Sequence, residues 1–302
     1  MKIFIWLVLC LVWGTTWFFI KIGLEDLPPI SFAAARFVLA LIILAAIILI
    51  NKIQLPKTIR EWKLLGLTGI LQFSINYSLV FWSEQHISSG LAAVLQGMIP
   101  VFGLALAWFH LPEEKITGLK ILAVLLGITG VAIIFIEQLQ IKSVLAFAGC
   151  AAIVVGAYAA AHASILIKAH GGKIHPAAML FGQMLCGILP LIMYGLIKEG
   201  NPISFRWTWQ ALISILYLTI FGTILAFWLY YWLLSKIEST KAMVISLVTP
   251  LIAVIVGGIF LDEKLPPQTV FGGILILAGI GLIVFKGKIK EGADLQPATR
   301  EI

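Results

Sequence analysis

The sequence predicts an all-α membrane protein with ten transmembrane helices arranged as two inverted five-helix repeats. Three observations lead to this prediction. The chain of 302 residues is 61% hydrophobic and only 12% charged, whereas a soluble domain carries about 25% charged residues. Apolar runs of about 20 residues, long enough to cross the ~30 Å hydrocarbon layer, recur from end to end. One apolar segment also has a similar copy about 150 residues further along the chain.

The apolar runs give ten predicted spans joined by short connections. They cover approximately residues 3–24, 30–50, 63–83, 88–110, 117–136, 143–167, 176–197, 209–234, 240–261 and 267–285. The first run has one lysine and lacks a small-residue cleavage site, so we predict a membrane helix there and not a signal peptide. The polar end predicts a cytoplasmic tail at residues 287–302.

The repeat is carried by the segments AAVLQGMIP and AMVISLVTP, which begin 150 residues apart. Offsets of 147 to 150 residues pair Ala92 with Ala242, Val94 with Val244, Pro100 with Pro250, Trp82 with Trp232, Glu114 with Glu263, Gly130 with Gly279, Pro29 with Pro176, Arg36 with Gln183 and Lys21 with Lys168. Each half holds five helices, so the second must enter the membrane from the opposite side. This predicts one repeat at residues 1–140 and another at 141–286.

The basic residues predict the orientation of the spans. With the N-terminus inside, fifteen of the 21 Lys and Arg residues fall in inside segments and five at outside ends. Both termini are therefore predicted to be cytoplasmic in a multi-pass protein of the cytoplasmic membrane. This topology accounts for the net charge of +7, so nucleic acid is not expected as a partner. The lipid bilayer is an expected partner, and a homodimer is left open.

Pro100 and Pro250 are each predicted in the middle of a span. A proline cannot donate a hydrogen bond to the carbonyl four residues earlier, here that of Gln96 or Ser246, so we expect each helix to kink. One interpretation is a gating hinge whose freed polar groups face a cavity. The other is a static kink that neighbouring helices satisfy.

Arg36 is predicted about six residues inside the second span, or roughly 9 Å of helical rise. A charge at this depth is costly unless it faces a cavity or a partner. Two interpretations remain open. Arg36 either binds an anionic group of a substrate, such as a carboxylate, or has a structural role in which it extends outward or pairs with carbonyl groups.

Several polar and aromatic residues inside the spans are candidates to line a substrate path. We expect these to be Trp17, Asn76, Tyr77, Gln96, Tyr158 and His162, with Trp13 and Gln72 beside them. Tyr158 and His162 are four residues apart and share a helix face. Aromatic walls with a few polar anchors suit a small amphipathic solute. Packing between helices is the alternative for each residue, and His162 is either a proton relay or a buried neutral histidine.

Motifs for other functions are absent from the sequence. The sequence has no GxxxxGK[ST] loop for nucleotide phosphates and no HExxH or GxSxG motif. Cys10, Cys150 and Cys186 all fall inside apolar spans, which favours buried apolar residues over a disulfide or zinc site. We therefore expect no cofactor, no metal and no catalytic residues.

With these residues in view, the chain resembles the EamA-type branch of the drug/metabolite transporter superfamily. The resemblance covers nearly all of residues 1–286. It rests on WGTTWFFIKIGL, on PPISFAAARF with Arg36, on the two repeated segments, on PEEK and LDEK, and on Gly130 and Gly279. The resemblance implies ten helices in two inverted units and a central cavity lined by spans one to four and six to nine. It also implies export of amino acids, related metabolites or toxic compounds.

The sequence thus predicts a secondary transporter, an exporter of small organic metabolites that works by alternating access. Arg36, Asn76, Tyr77, Gln96, Tyr158, His162 and Trp17 would bind the solute, and Pro100 and Pro250 would allow gating. Two alternatives remain. One is a membrane-embedded lipid-modifying enzyme, for which the candidates are Glu84 with His86 at the outer end of span three and the loop pair Glu113-Glu114. The other is a partner or sensor subunit that transports nothing.

Overall fold

The structure is a computed structural model that describes residues 2–113, 143–172 and 174–262 except 244, with scattered residues from 117 to 133 and from 266 to 282. Every regular element in this part of the chain is helical. The repeat residues Glu114 and Glu263, and the predicted tail at 287–302, lie outside the described residues.

Within the described residues, eight helices are long and apolar enough to cross a membrane, which makes this a multi-pass membrane protein. They are α1 (Lys2–Gly23), α2 (Pro29–Ile50), α3 (Ile59–Ser83), α4 (Ser89–His110), α5 (Val144–His170), α6 (Pro176–Lys198), α7 (Trp209–Lys236) and α8 (Lys241–Phe260). The spans predicted at 117–136 and 267–285 are only partly described. A shorter apolar helix, α9, runs from Val270 to Gly279 in the second of these.

Local sequence explains where several helices begin. Pro29 and Pro176 each occupy the first position of a helix, where the missing amide hydrogen costs nothing because it would have no partner. The Thr58 side chain and Glu61 form a reciprocal capping box at the start of α3, which satisfies two backbone donors.

Two helices contain a π-helical segment near their middle. In α3 it runs from Ile70 to Asn76, and in α7 from Ile220 to Leu225. The two segments begin 150 residues apart, at the offset that relates the repeated sequences. Such widened turns are frequent at functional sites because they redirect the side chains that follow.

The two predicted proline kinks differ in the structure. α4 is interrupted at Gly97 and Met98, and its second helical segment starts at Ile99. Pro100 therefore lies in a first turn, where its lack of an amide hydrogen is tolerated. The helical segment from Ile245 to Phe260 instead runs through Pro250 without interruption. A gating role for either proline remains a prediction.

Contacts between helices enclose the centre of the molecule. α1 packs against α7 and α8, α2 and α3 pack against α6, and α4 packs against α5 and α8. The contact of α1 with α8 is close at Gly14, where a Cβ atom would come 2.6 Å from Ile252. Small residues permit such close approach of helix backbones in a membrane.

Candidate functional site

A cavity of about 110 Å³ lies between six of the spanning helices. Residues of α1, α3, α4, α5, α7 and α8 line it. Pockets between membrane helices that join aromatic walls to a few polar groups are typical places for small organic ligands. The described lining residues include no Asp, Glu, Lys, Arg or His.

Aromatic rings form one wall of the cavity. Trp13 and Trp17 lie four residues apart on α1, so that they project from one helix face. The Trp13 ring contacts Phe227 and Tyr230 of α7, with centroids 5.5 Å and 5.2 Å away. Tyr77 of α3 completes this wall. The rings offer a flat apolar surface for a hydrocarbon or aromatic group.

Amide side chains supply the polar part of the lining. Gln96 Nε2 donates a hydrogen bond of 3.0 Å to Asn76 Oδ1, which joins α4 to α3. The Gln96 Oε1 atom is buried and accepts no hydrogen bond in the described structure. Gln72 and the Trp17 indole also line the cavity. Unpaired polar groups in apolar surroundings cost free energy unless a ligand or water satisfies them.

Hydroxyl groups in the lining mostly bond within the protein. Thr16 Oγ1 donates to the Trp13 carbonyl at 2.7 Å. Tyr230 OH bonds Ser164 Oγ at 3.2 Å and so connects α7 with α5. These bonds use the hydroxyl hydrogens of Thr16 and Tyr230, which leaves their oxygen lone pairs as acceptors for a ligand.

Four of the seven residues predicted to bind substrate line this cavity: Trp17, Asn76, Tyr77 and Gln96. The structure brings them together from three helices, and Trp13 and Gln72 join them as expected. Their role in binding a solute remains a prediction.

Tyr158 and His162 are not brought to the cavity. Tyr158 is 42% exposed on α5 and contacts Phe102 of α4. His162 lies between Tyr158 and His110, with ring centroids 5.7 Å from each. The two residues do share a helix face, but it is another face of α5, by Ala160 and Ser164, that lines the cavity.

Arg36 does not line the cavity, and its buried side chain does not extend outward to the surface; a role in substrate binding remains a prediction. Its side chain is 1% exposed, and Nε and Nη2 have no hydrogen-bond partner in the described structure. The guanidinium carbon lies 4.4 Å from the ring centroids of Phe37 and Tyr77, and 5.0 Å from that of Phe81. Cation–π attraction to these rings stabilises the charge, and the Tyr77 hydroxyl and the Glu84 carboxylate also interact with it. Tyr77, which lines the cavity, covers one side of the charge.

Gln183 occupies the position in the second half of the chain that aligns with Arg36. Its polar groups form hydrogen bonds to neighbouring side chains. It is fully buried, and its amide donates to Thr68 Oγ1 at 2.8 Å and accepts from Tyr231 OH at 2.6 Å. Tyr231 aligns with Phe81 at the 150-residue offset. Gln183 does not line the cavity and acts as a link between α6, α3 and α7.

The carbonyl group freed by Pro250 has a partner. Thr249 Oγ1 donates to the Ser246 carbonyl oxygen at 3.3 Å, and both residues line the cavity. Thr249 was not predicted from the sequence to line the cavity, and neither were Phe227, Tyr230 and Ser164. A threonine directly before a mid-span proline was the available signal for Thr249, because its hydroxyl can reach back one turn.

Comparison with known proteins is consistent with this architecture. The EamA-like transporter family model matches residues 1–136 and 147–285. An uncharacterized transporter from Archaeoglobus fulgidus is 31% identical over 284 residues, which cover 93% of this chain and 99% of the relative. A "probable amino-acid metabolite efflux pump" from Salmonella typhimurium is 26% identical over 300 residues, covering 96% and 97%.

A solved crystal structure that is 15% identical superposes with a TM-score of 0.72 and covers 95% of this chain and 98% of its own. This likeness shows a shared fold. Since the family model matches nearly the whole hydrophobic part of the sequence, the chain belongs to the EamA-like transporter family, whose fold has ten helices.

Proposed function

We propose that this chain is a secondary transporter that exports small organic metabolites, such as amino acids or related compounds, across the cytoplasmic membrane. The observation that carries the proposal is the cavity between six spanning helices, whose lining combines aromatic rings with amide side chains, among them the unpartnered Gln96 Oε1 atom. A substrate site between helices at the membrane interior is the usual arrangement in secondary transporters. The efflux pump among the relatives supports the direction and the solute class.

The chemistry of the lining fits a solute that both donates and accepts hydrogen bonds. The Trp17 N–H and the Gln72 amide can donate to a carboxylate, and Gln96 Oε1 can accept from an ammonium group. An apolar side chain would then lie against the aromatic wall. A doubly charged anion fits poorly, because no lining residue supplies a compensating charge.

The size of the cavity suggests a closed state. At about 110 Å³ it is smaller than the 300–1,000 Å³ typical of ligand pockets. We infer that helices separate on one side to admit the solute and on the other to release it. The inverted repeat predicted at residues 1–140 and 141–286 would supply these two openings, because its halves face opposite sides of the membrane.

The proposal is tested by thermal unfolding of the purified protein with a panel of amino acids, nucleosides, sugars and organic cations. A ligand that binds only the folded state stabilises it by RT ln(1 + [L]/Kd), so the unfolding temperature rises with ligand concentration. We expect stabilisation by one class of amino acid or amino-acid derivative, and loss of that stabilisation in Asn76→Ala. A ligand that still stabilises Asn76→Ala and Gln96→Leu would contradict the assignment of this cavity as the site.

A further inference from the structure

A lysine near the end of α1 joins that helix to the turn between α3 and α4. Lys21 Nζ donates to the Glu84 carbonyl oxygen at 2.6 Å and to the Ile87 carbonyl oxygen at 3.1 Å. The last carbonyl groups of a helix have no partner within the helix and carry partial negative charge. An ammonium group is therefore a suitable partner for them.

A second lysine makes the same contact elsewhere. Lys168 Nζ, near the end of α5, donates to the carbonyl oxygens of Leu234 and Ile237 at 2.8 Å each. These carbonyls lie at the end of α7 and in the turn that leads to α8. Lys168 follows Lys21 by 147 residues, and its two acceptors follow those of Lys21 by 150 residues. These are the offsets that align the two halves of the sequence.

The two contacts lie at opposite ends of the helix bundle. Lys2, the first residue of α1, places Nζ 3.5 Å from the carbonyl oxygen of Lys236, beside the Lys168 contact. Lys21 lies 19 residues further along the same helix, a rise of about 28 Å. This distance is close to the ~30 Å hydrocarbon thickness of a bilayer. One contact therefore lies at each membrane face.

Each contact holds the start of a helix that closes the cavity. The turn bound by Lys21 leads into α4, which contributes Gln96 and Ile99 to the lining. The turn bound by Lys168 leads into α8, which contributes Ala242, Met243, Ile245, Ser246 and Thr249 to the lining. Release of one turn would free one of these helices to move away from the cavity at that face, while the other stays bound.

We propose that Lys21 and Lys168 are two latches, one at each membrane face, whose alternate release opens the cavity to one side at a time. The proposal rests on the transport function proposed above. In this structure both latches are closed, in agreement with the small volume of the cavity. Each latch consists of one ammonium group and two backbone carbonyls, so replacing the lysine removes the donor of both bonds.

The test measures access to the cavity from each face. Ala160 lines the cavity on α5 and makes no side-chain hydrogen bond, so Ala160→Cys provides a reporter thiol. The background lacks the three native cysteines, Cys10, Cys150 and Cys186. A membrane-impermeant maleimide is applied to intact cells and to inverted vesicles, and the rate of labelling is measured on each face. No solute is required.

Lys21→Met and Lys168→Met remove the donors and keep a flexible side chain. We expect Lys21→Met to raise the labelling rate several-fold from one face only, and Lys168→Met to do so from the opposite face. Lys21→Gln and Lys168→Gln, which keep one amide donor, are expected to label at intermediate rates. The Gln variants also provide folded protein for the measurement if a Met variant does not fold.

The matched controls replace two lysines for which the described structure shows no hydrogen bond to carbonyl groups at a helix end. Lys198 lies at the same end of the helix bundle as Lys21, and Lys63 lies at the same end as Lys168. Both side chains are exposed, and each lysine is replaced by Met. We expect both to label as the parent does. Labelling at the parent rate in every folded latch variant, or opening of the same face by both, would overturn the proposal. If labelling is face-specific but flux assays find no solute that the protein transports, the transport function is contradicted while the latches stand.

Discussion

The backbone of Gly187 lies directly against the carbonyl group of Gly69, where α6 crosses the start of the π-helical segment of α3. A Cβ atom at Gly187 would overlap with that carbonyl, and one at Gly69 would overlap with the carbonyl of Gln183. Ser74 Oγ donates to the Gly187 carbonyl at the same crossing. This contact fixes the part of α3 from which Gln72, Asn76 and Tyr77 project into the cavity.

Gly187→Ala is therefore expected to destabilise the protein by roughly 1–3 kcal/mol, the usual cost of forcing extra atoms into a packed contact. The clash is with backbone, which cannot move away as a flexible side chain does. Thermal unfolding of the purified variant would measure this as a lower midpoint. Gly66→Ala is the control, since nothing lies within 4 Å of a Cβ there. Equal midpoints for the two variants would mean that this crossing is not tightly packed.

The bond between Gln183 and Tyr231 gives a prediction about buried polar groups. Gln183→Leu should cost about 1–3 kcal/mol, because it leaves the buried Tyr231 hydroxyl without its partner. Adding Tyr231→Phe removes that hydroxyl, so the double variant should be more stable than the sum of the two single changes predicts. Unfolding measurements on all four proteins test this coupling, and strict additivity would show that the hydrogen bond contributes nothing.

Solute binding should distinguish the residues that line the cavity from those that do not. Gln96→Leu removes both the unpaired acceptor and the bond to Asn76, and we expect it to weaken binding about tenfold or more, the equivalent of ~1.4 kcal/mol. His162→Gln and Tyr158→Phe should bind as the parent does, because these side chains lie outside the cavity. Titration by calorimetry or by thermal shift compares the three. A large loss of solute binding in His162→Gln would show that His162 contributes to the binding site.

The hydrogen bond that compensates for Pro250 can be tested in a similar way. Thr249→Val should destabilise the protein by about 0.5–1.5 kcal/mol, the usual net value of one hydrogen bond. In a Pro250→Ala background the backbone amide at position 250 can bond the Ser246 carbonyl, so the same change should cost less. An unchanged cost in both backgrounds would show that Thr249 does not replace the missing amide.

The sequence was sufficient to predict the spanning helices and part of the site. Long apolar runs have few alternatives to membrane helices, and polar side chains inside them are costly unless they are buried in protein. That reasoning identified Asn76, Gln96 and Trp17. It could not determine which face of α5 meets the cavity, because that helix is rich in small residues on all sides. Tyr158 and His162 were consequently expected at the cavity and lie elsewhere.

Other features depend on contacts that no local pattern reveals. The depth of Arg36 followed from its position in the span, but its enclosure by Phe37, Tyr77 and Phe81 depends on how α2 packs against α3. The π-helical segments carry no recognisable sequence signature. Phe227 and Tyr230 lie in a run of aromatic residues, so that periodicity alone does not show which of them face inward.

The most direct test of the account is solute counterflow into proteoliposomes that contain the purified protein. Liposomes are loaded with an unlabelled solute identified by thermal shift, and entry of the same labelled solute is followed without ATP or an imposed ion gradient. We predict accumulation that depends on the protein and falls sharply in Asn76→Ala and Gln96→Leu, while Tyr158→Phe remains active. Equal accumulation in the parent and in both cavity variants would contradict the central claim that this cavity carries the solute.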